Sequence, residues 1–266
     1  MLSVNDFLDS RVIRGVTPKT VAWYGRYLHP WVEFLAGRPE DAALLRAYLS
    51  RFSNSQTQAG GYRAVRAFEF WRERESGLVS WFRRCQGWRF APVPSPPILS
   101  VSEFESMMAA IPATPAGRRD RLALELLFWT GARTGAILGL RAGDVDLVER
   151  TLRVTTKGCV CADIAMPAPV VDMLRTYITD IHADTLTWLF PVALRNLRRR
   201  LIAAKAKTGI LKRVWLHGLR HAAATRMLER CHDAAAVQRQ LLHSNISTTM
   251  KYAKSSIQAA KRAVDA

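Results

Sequence analysis

No stretch of this 266-residue sequence approaches the roughly 18 consecutive apolar residues that a membrane-spanning helix needs, and this removes the integral helical membrane class. The start, MLSVNDFLDSRV, has neither the basic head nor the apolar middle of a secretory signal. Cysteine is scarce. Only Cys159 and Cys161 of the four (with Cys85 and Cys231) lie close together, and one intervening residue is tighter than zinc sites use. They read as free thiols of a reducing compartment, so a soluble, cytoplasmic protein is expected.

Other absences exclude whole chemistries. There is no GxxxxGK(S/T) loop to cradle a nucleotide triphosphate and no Gly-rich dinucleotide fingerprint. His217 and His221 in HGLRH have the i, i+4 spacing of a zinc helix, but Gly218 stands where that motif carries its glutamate. No acidic cluster suits a two-metal nuclease. The expectation is therefore no cofactor and no metal. Internal repeats, low-complexity tails and coiled-coil heptads are also missing.

The last shortage is of negative charge. Against 39 Lys+Arg stand 22 Asp+Glu, a formal net charge of +17, far more than solubility requires. Such an excess points to a polyanionic partner, and nucleic acid is the first candidate. The stretch from Arg195 to Arg213 holds Arg195, Arg198, Arg199, Arg200, Lys205, Lys207, Lys212 and Arg213 without one acid, a self-repulsion that a phosphate backbone alongside would relieve.

What is present reads mainly as helix. TPKTVAWYGRYLHPWVEFLAG places Val21, Tyr24, Leu28, Trp31, Val32 and Leu35 at intervals of three and four, after Thr17 and Pro18 as cap and first turn. GGYRAVRAFEFWRERE sets Arg63, Arg66, Arg72 and Arg74 among aromatics; these arginines suit a DNA groove, and equally a solvated face over an aromatic core. APVPSPP, with four prolines in seven positions, cannot stay helical and makes a stiff connector. The expected organisation is a helical domain over 1–91, a linker over 92–97 and a second domain over 98–266. In the latter, DVDLVERTLRVTTKG and ADIAMP alternate around a turn and predict a small antiparallel hairpin or three-stranded sheet among helices.

A set of cations and one late tyrosine remain: Arg133, Lys157, His217, Arg220, His243 and Tyr252. Attack on a phosphodiester builds charge on the nonbridging oxygens, which the protein must offset where no metal does so. Two arginines suit that task, because a guanidinium keeps its charge and offers a planar fork to two oxygens. A lysine on a hairpin can protonate a leaving 5′ oxygen. A phenol, with a reference pKa of about 10, attacks only when a neighbour takes its proton or surrounding positive charge stabilises the phenolate.

TGARTGAILGLRAGDVDL, LHGLRHAAATRML and LLHSNISTTMKY resemble, in order, the three signature blocks of the tyrosine recombinase (phage integrase) family. The resemblance implies a mainly α, two-domain DNA clamp with a small β-sheet in the catalytic domain, the 1–91 segment being a SAM-like core-binding domain. It implies that Arg133 and Arg220 clamp the scissile phosphate, Lys157 acts as general acid, His217 assists proton transfer, His243 hydrogen-bonds the phosphate and Tyr252 forms a 3′-phosphotyrosyl bond. Arg63, Arg66, Arg195, Arg198, Arg199, Lys205, Lys212 and Arg213 are the candidate contacts to double-stranded DNA. The implied partners are that DNA, a homotetramer on synapsed sites built from monomers, and accessory DNA-bending proteins, with no membrane. Two positions depart from the pattern: Ala136 stands where an acid is usual, and Leu242 where a glycine is common. A type IB topoisomerase and a catalytically silent DNA-binding regulator remain open as alternatives.

Overall fold

The computed structural model describes residues 2–85, 88, 90–91, 97–155 and 161–242. The chain divides into two compact units, residues 1–95 and 96–266.

The first unit is helical. Helix α1 (Val4–Ile13) opens with a capping box in which Ser3 and Asp6 each satisfy the other's backbone amide. Helix α2 (Pro18–Leu35) starts with proline at its first position, but the Thr17 hydroxyl meets Thr20 Oγ1 at 3.0 Å instead of capping the backbone, so the expected side-chain cap is not made. Of the predicted apolar stripe, Leu28, Trp31 and Leu35 are buried whereas Val32 is exposed, the buried face turning instead to include Tyr27. Helices α3 (Ala42–Ser50) and α4 (Ser55–Ser76) carry Asp41 and Asn54 as caps. α4 packs closely on α2: a Cβ at Gly60 would stand 2.6 Å from the Tyr27 hydroxyl oxygen.

The core of this unit is aromatic, with Phe7, Trp31, Tyr48, Phe68 and Trp71 meeting mostly edge to face. Glu69 is buried beside it, accepting from Arg72 and from the Ser80 hydroxyl. Burial, with Glu40 nearby, pushes its pKa up to about 7 against the opposing pull of Arg72.

In the second unit, α5 (Val101–Ala109) and α6 (Pro115–Thr130) lead into a short α7 (Thr134–Leu138). Leu122 to Phe128 are buried without a break on α6, which is therefore the central helix around which the others pack. Three strands follow: β1 (Val145–Asp146), β2 (Thr151–Thr155) and β3 (Cys161–Ala165), antiparallel in the order β1–β2–β3. Leu152 lies opposite Ile164 and Thr155 opposite Cys161, so β2 and β3 form a hairpin whose connecting residues are 156–160. Helices α8 (Ala168–Asp180), α9 (Leu194–Ala206), α10 (Leu216–Cys231) and α11 (Ala234–Leu241) complete the unit. The mainly helical fold with a small three-stranded sheet is the class expected from the sequence.

Among the described residues no helix is long and apolar enough to cross a membrane.

Candidate active site

The site is built where α6 ends. Gly131 closes α6 in the left-handed region at φ 70°, and a Cβ there would come within 2.5 Å of Leu241 Cδ2 and 3.2 Å of Ala223 Cβ. Glycine is required twice over, for the backbone angle and for the close approach of α10 and α11. The reversal delivers Arg133 to the start of α7, with its guanidinium exposed.

Arg220, on α10, reaches the same place from inside. It is 3% exposed, an unusual burial for an arginine, and its fork is held by carbonyls: Nη1 donates to Gly131 O at 2.7 Å and Nη2 to Leu241 O at 2.6 Å. These two contacts orient the guanidinium plane without cancelling its charge. Arg133 Nη2 donates to the next carbonyl, Leu242 O, at 3.2 Å, across 109 positions of chain. Two arginines from different helices are thus anchored on consecutive carbonyls at the end of α11.

His217 lies one turn before Arg220, its ring edge-on to His221 at 4.7 Å between centroids. Partial desolvation lowers its pKa below the ordinary histidine value, and the positive charges of His221, Arg220 and Arg133 lower it further. The imidazole is therefore neutral near pH 7, the form that can accept a proton. His217 and Arg220 stand three positions apart on α10, one helical turn from each other.

A cavity of about 280 Å³ opens at this point, lined among others by Arg133, Ala136, Thr155, Arg220, Gln240 and Leu242. Ala136, where the family pattern suggests an acid, contributes only a methyl group to the wall. Leu242 takes up the left-handed conformation, φ 52°, that the usual glycine would adopt without strain. Among the described residues there is no group of three or more His, Cys, Asp or Glu placed to hold a metal ion.

Residues 97–259 match the family model described as the phage integrase family. The chain belongs to that family. The tyrosine recombinase XerD of Lacticaseibacillus casei is 30% identical over 266 aligned residues, covering 92% of this chain and 90% of that protein. The tyrosine recombinase XerA of Thermococcus kodakarensis is 31% identical over 277 residues, covering 98% and 93%. By these relatives the integrase-family chain is a tyrosine-type site-specific recombinase. Its fold is also that of XerH site-specific recombinase bound to a palindromic difH substrate, with TM-score 0.77, 18% identity and coverage of 99% of this chain and 84% of that one. The Tn1549 transposon integrase in complex with transposon right end DNA matches with TM-score 0.78 at 16% identity, covering 99% and 98%.

Of the six residues expected at the recombinase site, Arg133, His217 and Arg220 are brought together, and Lys157, His243 and Tyr252 lie outside the described residues. Among the expected DNA contacts, Arg63, Arg66, Arg195, Arg198, Arg199 and Arg213 are exposed and Lys205 is half-buried. Lys212 is engaged within its own unit, its Nζ lying 2.8 Å from Glu103 and 3.1 Å from Ile98 O. Arg200, from the same basic stretch, pairs with the buried Asp120 at 3.1 Å.

Two contributors were missed in the sequence. Arg226 lies over both Phe128 and Trp129, 4.4 and 4.5 Å from the ring centroids, and donates to Phe128 O, bracing the last turn of α6; burial lowers its pKa to about 10. Gln240 ties three elements together. Its place in the last turn of a short helix, beside the apolar positions Val237 and Leu241, gave no sign of that role in the sequence.

Proposed function

We propose that the protein cleaves and rejoins double-stranded DNA through a 3′-phosphotyrosyl link on Tyr252, exchanging strands between specific sites. The Tyr252 phenolic oxygen attacks the scissile phosphorus as its proton passes to neutral His217. The bond from phosphorus to the 5′ oxygen breaks, and Lys157 supplies the proton that leaves this oxygen as a hydroxyl. Arg133, Arg220 and His243 hold the nonbridging oxygens as charge grows on them. Reversal of these steps with a different 5′ hydroxyl joins the exchanged strand, so the phosphotyrosine conserves the bond energy and no nucleotide is consumed.

The observation that supports this reading is the anchoring of Arg133 and Arg220 on the Leu242 and Leu241 carbonyls, directly before His243 in the chain, with a neutral His217 beside them. Residues 1–91 act in this reading as a core-binding domain, joined by 92–97 to a catalytic domain over 98–266. Arg63, Arg66, Arg195, Arg198, Arg199, Lys205, Lys212 and Arg213 supply contacts to the phosphate backbone. A tetramer assembles on paired sites.

A nicked duplex that loses its short 3′ fragment on cleavage traps the covalent state. With it, the parent protein forms an SDS-resistant complex in EDTA and Tyr252→Phe forms none. Absence of any complex from the parent leaves a silent DNA-binding regulator. Supercoil relaxation by a strictly monomeric protein replaces recombination with a topoisomerase reaction.

A further inference from the structure

Among the described residues, strand β3 is an edge strand, paired with β2 on one side only. Met166 N donates to Arg150 O at 2.8 Å on the β2 side, whereas the N–H and C=O of Ala165 meet Gln240 of α11. The Gln240 amide takes both, as a neighbouring strand would: Ala165 N donates to Oε1 at 3.0 Å, and Nε2 donates to Ala165 O at 2.9 Å. The second Nε2 hydrogen goes to Thr130 O at 3.1 Å, on the residue before Gly131. Two carbonyl oxygens facing one end of the amide and an N–H facing the other fix its orientation.

One side chain therefore joins the hairpin, the turn that bears Arg133 and the helix whose final carbonyls hold both guanidiniums. Gln240 also lines the cavity that Arg133 and Arg220 line. Without its amide, three backbone groups at the junction would have to find other partners, and the register of β3 against α6 would lose its fixed point. Residues 156–160, which connect β2 to β3, include Lys157.

We infer that Gln240 is a positioning residue that pins the β2–β3 hairpin to the arginine-bearing turn and so sets the reach of the hairpin lysine to the leaving oxygen. The inference rests on the reading of Lys157 as general acid. The Gln240 amide is spent on backbone groups of Ala165 and Thr130. It acts through the edge strand, and a displacement of about 1 Å at a reacting group costs on the order of 100-fold in rate.

The test separates positioning of an acid from general support of the fold. Gln240→Leu removes the amide at similar volume, and Gln240→Glu keeps the acceptor for Ala165 N–H but sets a carboxylate against two carbonyls. Both are assayed in single turnover on the nicked duplex and on the same duplex with sulfur replacing the 5′ bridging oxygen. A thiolate leaves without protonation, so loss of the acid matters little there. DNA affinity and melting temperature are measured alongside, with Lys157→Ala as reference. Cleavage of the oxygen substrate is expected to fall about 10- to 100-fold in Gln240→Leu and further in Gln240→Glu, while cleavage of the sulfur substrate stays within about threefold of the parent.

Equal loss on both substrates overturns the inference, as does no loss on either. Loss of DNA affinity and melting temperature in parallel with rate, in both variants, overturns it in favour of a purely structural role. If Lys157→Ala is not rescued by sulfur, the general-acid reading itself fails. If Lys157→Ala is rescued and Gln240→Leu is not, only the role of Gln240 fails.

Discussion

At position 220 the shape of the cation matters as much as its charge. The Arg220 fork spans Gly131 O and Leu241 O, two carbonyls on different elements, and a lysine ammonium on a single stem cannot hold both in one plane. Arg220→Lys is expected to keep DNA affinity within about threefold while covalent complex formation falls at least about 100-fold, the scale set by losing one donor to a developing oxyanion. Fluorescence anisotropy and the nicked-substrate assay measure the two; equal loss in both removes the geometric argument. That Arg220 lies beside His217 was legible, because the HGLRH block sets them one helical turn apart. Its burial and its carbonyl partners were not, since both depend on where α6 and α11 end. Gln240 was illegible for a related reason: an amide between apolar neighbours on a helix reads as an ordinary boundary residue until the edge strand it satisfies is in place.

Among the elements, the junction of α6, α10 and α11 turns on one glycine. Gly131→Ala forces an L residue to φ 70°, at about 1–2 kcal/mol, and drives a methyl group to 2.5 Å from Leu241 Cδ2, where overpacking costs about 1–3 kcal/mol more. Leu241 is 1% exposed and has little room to yield. The substitution should destabilise the second unit by about 2–5 kcal/mol in urea unfolding of the full chain. Placed in a Leu241→Ala background it should cost less, because the closest clash is gone and the backbone strain and the 3.2 Å approach to Ala223 Cβ remain. Equal costs in the two backgrounds would leave the Leu241 contact no part in the effect. The helices themselves were readable from apolar spacing and caps, and β2 and β3 from alternation. Strand β1, two residues long, carries too little pattern to decide between a hairpin and a third strand. The exposure of Val32 shows the limit of spacing, which gives the width of an apolar stripe but not the side from which neighbours cover it.

Over the whole molecule, the net charge of +17 predicts a partner but not which cations meet it. Each Lys or Arg that replaces a counterion on duplex DNA contributes about 0.9 to the slope of log affinity against log salt. Arg195, Arg198 and Arg199 lie exposed on α9, whereas Lys212 is already paired with Glu103. Replacing the three arginines together by alanine should therefore lower the slope by nearly 3, whereas Lys212→Ala should change it by well under 1. The same affinities measured at several salt concentrations on an unrelated duplex give the nonspecific reference, and the decrease should appear there as well, because phosphate contacts carry no sequence information. Slopes unchanged in the triple variant would take α9 off the DNA. A full unit lost in Lys212→Ala would mean that binding breaks the Glu103 pair, making that ion pair a competitor of the phosphate backbone.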